Sequence, residues 1–202
     1  FFEFAYETAR LAHNKGIRNV FVTNGYMTAE ALEMINPYLD AANVDLKAFT
    51  DKYYKELCGA GLKHVQATLK SMKSLGIFVE VTTLVVPGLN DNPSELSDLA
   101  AFIVQDLGPE TPWHISRFHP TYKLTDRPST PVQTLTMARE IGLKAGLKYV
   151  YTGNVPGNAA ENTFCFSCSE TVIERRGFQV RNLRLKNGRC TKCGAEIDGV
   201  WE

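Results

Sequence analysis

Two Cys-x-x-Cys pairs stand near the end of the sequence: Cys165 and Cys168 in CFSCSE, Cys190 and Cys193 in CTKCGA. A Cys-x-x-Cys turn puts two sulfurs on one side of a tight loop. Two such turns facing each other complete a tetrahedral four-sulfur site. A tail of about 40 residues buries too little apolar surface to fold alone. A structural metal is therefore expected at these four cysteines, with zinc as first choice and rubredoxin-like iron as second. Four thiolates fill zinc's tetrahedron and leave no position for a substrate. A redox pair is disfavoured, because no βαβ pattern surrounds either motif. These thiols hold structure, and the reactive chemistry is expected elsewhere.

The other residues with chemical potential are scattered through the first three quarters of the chain. In VDLK, Asp45 and Lys47 are two apart, the spacing of one strand face. A carboxylate and an ammonium directed into one cavity suit a zwitterionic, hydroxyl-bearing ligand, although a surface ion pair would look the same. Glu80 and Thr82 share a face of the long strand candidate, and a carboxylate among β-branched residues needs a partner if buried. His114 falls inside a strand and reads as a satisfied core histidine. His119, just past that strand and before Pro120, is the better ligand contact. His13 and His64 fall in helices, and the solitary Cys58 in KELCG reads as a packed helix residue.

The elements that must position these residues alternate. Short β-branched runs at 19–23, 43–47, 77–86, 112–118 and 148–155 read as strands, and the segments between them have helical spacing. Start signals recur: Asn92, Pro93 and Glu95 form an N-cap, first-turn proline and capping box, and Thr130, Pro131 and Gln133 repeat the pattern. Gly76 is placed to end a helix. Alternating strands and helices imply βαβ units and a mostly parallel sheet. The strand ends run into Thr23-Asn24-Gly25, Asp45 and Lys47, Asn90-Asp91, His119 and Gly153-Asn154, residues with little packing use. Sites in parallel α/β folds lie at the carboxyl ends of strands, so a barrel-like arrangement with helices on one side is expected. After Val155 the texture changes. PGNAAENT reads as a linker, giving an α/β unit over 1–157 and a metal ribbon over 158–202.

Composition narrows the classes. Of the 202 residues, 44% are apolar, and the 22 Lys+Arg balance the 22 Asp+Glu. No global basic field argues for nucleic acid or a membrane surface, and no apolar run reaches the roughly 18 residues of a membrane span. Cysteines used in metal-spaced pairs suit a reducing cytoplasm. The sequence begins with Phe, inside an apparent helix, which leads us to expect a longer parent protein.

Several stretches together resemble a family. VTNGY, INPYLDAANVDLKAF, VEVTTLVVPGLNDNPSEL and RFHPTYK are similar to radical S-adenosylmethionine (SAM) enzymes of the pyruvate formate-lyase activating enzyme branch. The radical-SAM member of the AmmeMemoRadiSam group resembles the chain most, since it too continues through YTGNVPG into a Cys-x-x-Cys tail. The resemblance implies a partial (β/α)6 barrel, TIM-barrel-like, with SAM at the strand ends and a [4Fe–4S] cluster. Reductive cleavage of SAM then gives a 5′-deoxyadenosyl radical for hydrogen abstraction. It implies that Asp45 and Lys47 contact the ribose or methionine end of SAM, that Thr23 and Asn24 line the same mouth, and that His119 packs near the adenine. It implies an electron donor as partner and an unknown substrate, with a protein among the choices. Two features depart from the family. The cluster-binding Cys-x-x-x-Cys-x-x-Cys motif and the Gly-Gly-Glu stretch that receives the SAM amino group are not in these 202 residues. Both are expected upstream, and this chain alone is expected to be inactive. Val22 stands where activating enzymes often carry an acid before TNG, so a cation site built on that acid is not expected.

Two other classes compete. A nucleic-acid or protein adaptor would use the basic ribbon, where Arg175, Arg176, Arg181, Arg184, Lys186, Arg189 and Lys192 face Glu174 alone between 174 and 192. An aldolase or isomerase would use the same strand ends, but it lacks a phosphate-binding glycine loop.

Overall fold

The structure is a computed structural model, and it describes residues 1–177 and 179–201. Its frame is a five-stranded sheet in the order β1-β2-β3-β4-β5, parallel at every pairing. The strands are β1 (Val20–Thr23), β2 (Ala41–Asp45), β3 (Phe78–Val85), β4 (Trp113–Arg117) and β5 (Val150–Gly153). Helix α1 (Phe2–His13) precedes β1. α2 (Ala29–Ile35) links β1 to β2. A short α3 (Asp51–Tyr53), widening into a π-helical turn at Tyr54–Cys58, and then α4 (Leu62–Ser74) link β2 to β3. α5 (Pro93–Phe102) and α6 (Val132–Ala145) complete the crossovers.

Every crossover joins adjacent parallel strands. Right-handed connections in that order put all the helices on one side of the sheet. The burial pattern agrees. Ala42, Val44, Val79, Val81, Trp113, Ile115 and Val150 form one core with Leu32, Val65, Leu69, Leu96, Leu99 and Leu135 from the helices. The alternate sheet residues, Asn43, Asp45, Glu80, Thr82, His114 and Tyr151, are only half-buried. α6 can approach Trp113 because it carries Gly142, where a Cβ would come within 2.9 Å of the indole. Among the described residues no pairing joins β1 to β5, so the sheet is open at both edges.

Of the helix-start signals, one acts locally and two are drawn into tertiary bonds. Asn92 does cap α5, accepting from the Ser94 N–H at 2.8 Å. Glu95 does not close a capping box. It reaches across the fold and accepts from the Phe49 N–H at 2.7 Å. Thr130 is not the cap of α6 either. Its hydroxyl donates to the Val85 carbonyl and accepts from the Phe118 N–H, tying two strand ends together. A tertiary partner outcompeted the local one in both cases. The stretch read as a linker contains a 3-10 turn at Ala159–Glu161 and strand β6 (Thr163–Phe164).

The tail adds β7 (Thr171–Arg176), antiparallel to β6 on one side and to β8 (Gln179–Asn182) on the other, and a small antiparallel pair of β9 (Leu185–Lys186) and β10 (Arg189–Cys190). Its small core of Cys165, Val172, Ile173, Cys190 and Ile197 is completed by Tyr149, just ahead of β5. The Tyr149 hydroxyl donates to Asp198 at 2.9 Å, and Lys148 pairs with the same carboxylate at 2.9 Å. No helix among the described residues is long and apolar enough to cross a membrane.

Candidate functional site

At the carboxyl ends of β1–β4 lies a cavity of about 590 Å³, within the ~300–1,000 Å³ usual for small-ligand sites. Asn24, Lys47, Tyr53, Tyr54, Cys58 and Lys123 are among its lining residues. The β1 end reaches it through a turn only glycine fits. Gly25 has φ +69°, and a Cβ there would meet Val44 at 2.7 Å. The Thr23 hydroxyl accepts from the Gly25 N–H at 3.1 Å, and the Asn24 side chain accepts from the Tyr26 N–H at 3.0 Å.

Lys47 is held from three sides. Its ammonium pairs with Asp45 at 2.8 Å, its backbone N–H donates to the Tyr54 hydroxyl at 3.0 Å, and its carbonyl accepts from Asn90 at 2.6 Å. Asn90 is fully buried. Its second amide hydrogen goes to the Leu84 carbonyl, and its oxygen accepts from the Val86 N–H. Both amide hydrogens and the oxygen of this side chain are thus engaged in joining the ends of β2 and β3. Burial pushes the Tyr53 phenol up to about 12, pushes Tyr54 well above the ordinary phenol range and raises the Cys58 thiol. The cavity therefore offers neutral phenols and a thiol beside two cations, Lys123 and the Asp45-paired Lys47.

The residues singled out from sequence are not all in one place. Asn24 and Lys47 line the cavity, and Asp45 is linked to it through Lys47. Strand β2 ends at Asp45; Lys47 lies just beyond it, and its ammonium pairs with Asp45 two residues earlier, with the buried Leu46 between them. Thr23 is in register with Val44, on the row facing the helices. His119 is exposed past β4, its Nδ1 3.2 Å from the Ser129 hydroxyl, and is not a lining residue. The sequence reading missed Tyr53, Tyr54 and Lys123, and it saw Asn90 only as a polar strand end. Nothing local announced the π-helical turn that brings Tyr54 and Cys58 to the cavity. His114 is not a core histidine: it is half-buried, with Nε2 2.8 Å from the Glu80 carboxylate.

The four tail cysteines converge. Their sulfurs all lie within 4.8 Å of one another, with Cys165–Cys193 at 3.5 Å and Cys168–Cys190 at 3.8 Å. A tetrahedral ion with ~2.3 Å metal–sulfur bonds needs sulfurs about 3.8 Å apart, so the set fits a single ion. Each pair closes the same knuckle. Ser169 N–H donates to the Cys165 carbonyl and Gly194 N–H to the Cys190 carbonyl, both at 2.8 Å. The Ala195 N–H, followed by the neighbouring thiols, lowers Cys193 to about 7. The Glu170 N–H lowers Cys168 too, but burial and the other thiols outweigh it and push that group up to about 12. The basic residues nearby are largely engaged: Arg184 and Lys192 with Glu170, Arg189 with Glu196.

A singly wound parallel sheet with a ligand-sized cavity at its strand ends defines the class, and comparison with known proteins gives the family. Residues 1–103 match the Radical SAM superfamily; the chain belongs to that superfamily and is like the pyruvate formate-lyase activating enzymes within it. It is 48% identical over 202 residues to the uncharacterized protein MJ0808 of Methanocaldococcus jannaschii, covering 99% of this chain and 60% of that one. Over 101 residues it is 29% identical to the isethionate sulfite-lyase activating enzyme of Nitratidesulfovibrio vulgaris, covering 49% of this chain and 33% of the enzyme. Among solved structures, a domain of pyruvate-formate lyase-activating enzyme from Bacteroides vulgatus superimposes with a TM-score of 0.66 at 13% identity, covering 76% of this chain and 91% of that domain. The chain thus spans 60% or less of the length of these two curated relatives.

Proposed function

We infer that this chain supplies the SAM-binding face of a radical SAM enzyme whose target is a partner protein. The observation that carries the reading is the Asp45–Lys47 pair, fixed by Tyr54 and Asn90 beside a ligand-sized cavity at the strand ends. SAM carries an amine, a carboxylate, a sulfonium and ribose hydroxyls. Lys47 meets the carboxylate, Asp45 accepts from the amine or a hydroxyl, and Asn24 completes the polar wall. Thr23 acts through the turn it stabilises. His119 reaches the adenine only if the loop after β4 moves inward. Cleavage of SAM in this family draws on an electron from an iron–sulfur cluster. The residues here do not fit that cluster: four cysteines are gathered in the tail, and Cys58 is the sole cysteine lining the cavity. The tail, residues 158–202, acts as a structural module around zinc, and the free thiols suit a cytoplasmic setting. The name of the Nitratidesulfovibrio relative, which activates a lyase, supports a protein target.

The test is calorimetric titration of SAM into this chain and into Asp45→Ala. A charge-assisted bond is worth about 1.5–3 kcal/mol, so the variant is expected to bind about one to two decades more weakly. Equal affinities, or no binding by either protein, would remove the cavity from this role.

A further inference from the structure

A second polar cluster lies on the face of the sheet that the helices leave uncovered. In-register pairing puts Asp45, Thr82, His114 and Tyr151 in one row across β2, β3, β4 and β5. Neighbouring strands are about 4.8 Å apart, so His114 stands roughly 10 Å from Asp45 on the same face. Glu80 lies one step down β3 and is in register with Asn43. Its carboxylate meets His114 Nε2 at 2.8 Å. Desolvation opposes the Glu80 charge, but the bond to His114, assisted by Asn43 and Arg175, holds its pKa below the usual carboxylate value.

The His114 ring is fixed twice over. Glu80 holds one nitrogen, and the Tyr151 ring stacks on the other side at 5.0 Å and 22°. Tyr151 is in turn held by the tail. Its hydroxyl is 3.0 Å from the Thr163 hydroxyl, and the Arg175 guanidinium lies 5.4 Å from its ring centre. Arg175 donates to the Thr163 hydroxyl at 2.7 Å and to the Glu161 carbonyl. An ionised carboxylate only accepts, so Nε2 carries the proton facing Glu80, and in the neutral ring the lone pair is on Nδ1. Nδ1 has no hydrogen bond among the described residues, and it is not one of their buried unpartnered atoms. It therefore meets solvent on the open face.

We propose that Glu80 and His114 form a substrate-facing proton-transfer pair, with His114 Nδ1 accepting a proton from a hydroxyl or amine of the substrate. The bonding pair stays on the substrate oxygen or nitrogen. The imidazole becomes an imidazolium, and Glu80 balances its charge. This is the arrangement by which a carboxylate fixes the tautomer and strengthens the base in hydrolytic triads. The pair is distinct from the residues that hold SAM, but its place beside Asp45 rests on that reading. A substrate lying along the open face would touch both.

The test uses diethylpyrocarbonate, which acylates an unprotonated, accessible imidazole nitrogen, with sites mapped by peptide mass spectrometry. Nitrogen-15 NMR reads the tautomer of the same ring. The wild-type chain is expected to show His114 as the Nε2–H tautomer and to acylate it at Nδ1. Glu80→Gln is expected to mix the tautomers and slow acylation several-fold, with circular dichroism confirming the fold. SAM affinity is expected to be unchanged in Glu80→Gln and His114→Gln. An unreactive His114, an Nδ1–H tautomer, or a loss of SAM affinity in either variant would overturn the proposal. Absence of SAM binding in the wild type would overturn the cofactor reading instead, leaving the acylation and tautomer results to decide this one.

Discussion

The α/β body and the cysteine tail are stabilised in opposite ways. In the body, stability is spread over many contacts: helix residues such as Leu69, Leu99 and Leu135, none more than 1% exposed, pack on an unbroken row of sheet residues. In the tail, the buried apolar group among the described residues numbers six, two of them cysteines of the four-sulfur set and one contributed by the residue preceding β5. Burial at roughly 25 cal/mol per Å² can support the first region but not the second. A distributed core degrades gradually when one member is changed, whereas a four-ligand knot fails as a unit. The tail is also the only source of Arg175 and Thr163, so the region that depends on four thiols helps position the polar face of the region that does not.

The largest expected effect separates the two regions outright. Chelation, or Cys168→Ser, is expected to remove one bound metal per chain and release amide protection across residues 163–198, while the body keeps its helical dichroism. Native mass spectrometry for the metal and hydrogen exchange for the tail read both halves of that statement. Simultaneous loss of the body's helicity would show that the two regions fold as one.

Next comes Leu69→Ala, at the centre of the body's core. Cavity creation at such a site costs about 2–5 kcal/mol, measured as a lower denaturation midpoint at unchanged metal stoichiometry. A loss below about 1 kcal/mol would mean the body's core is less tightly packed than its burial indicates.

Asn90→Ala should fall between core and site. It leaves a buried N–H and two carbonyls without their partner, at about 1–3 kcal/mol. Because Asn90 fixes the Lys47 carbonyl, SAM affinity should fall along with stability, whereas Leu69→Ala should leave affinity intact. Denaturation and calorimetry on both variants distinguish the two behaviours.

The smallest effect concerns Glu80. Its pKa is depressed in the folded chain from the model-compound value of 4.5, chiefly by the bond to His114 acting against desolvation. A depressed carboxylate contributes stability above its unfolded pKa, and the contribution is lost as pH falls through the folded value. Wild type should therefore exceed Glu80→Gln in stability at neutral pH, with the gap closing on acidification below about pH 4.5. Since the pair is about one-third exposed, solvent screening keeps the gap small. Urea midpoints at pH 7 and below pH 4 give the comparison, and a gap that widened in acid would reverse the assigned sign.

Much of the fold was legible in the chain itself. Short β-branched runs, separated by segments of helical spacing, placed all five strands of the sheet, because branched side chains suit a strand and a buried helix face recurs every three to four residues. The two Cys-x-x-Cys pairs announced their convergence, since a tetrahedral sulfur site needs that spacing. Asn24, Asp45 and Lys47 were visible as polar residues at strand ends. Tertiary structure alone decided where the capping candidates spent their bonds: Glu95 went to Phe49, and Thr130 to Val85 and Phe118. It decided that Asn90 is a buried brace, that a π-helical turn lines the cavity with Tyr54 and Cys58, and that Glu80 meets His114 across two strands with Arg175 of the tail nearby. The physical reason is common to these cases. Periodicity reports which side of an element is buried, but the partner of a polar side chain is chosen by whichever distant group arrives within about 3 Å when the elements pack.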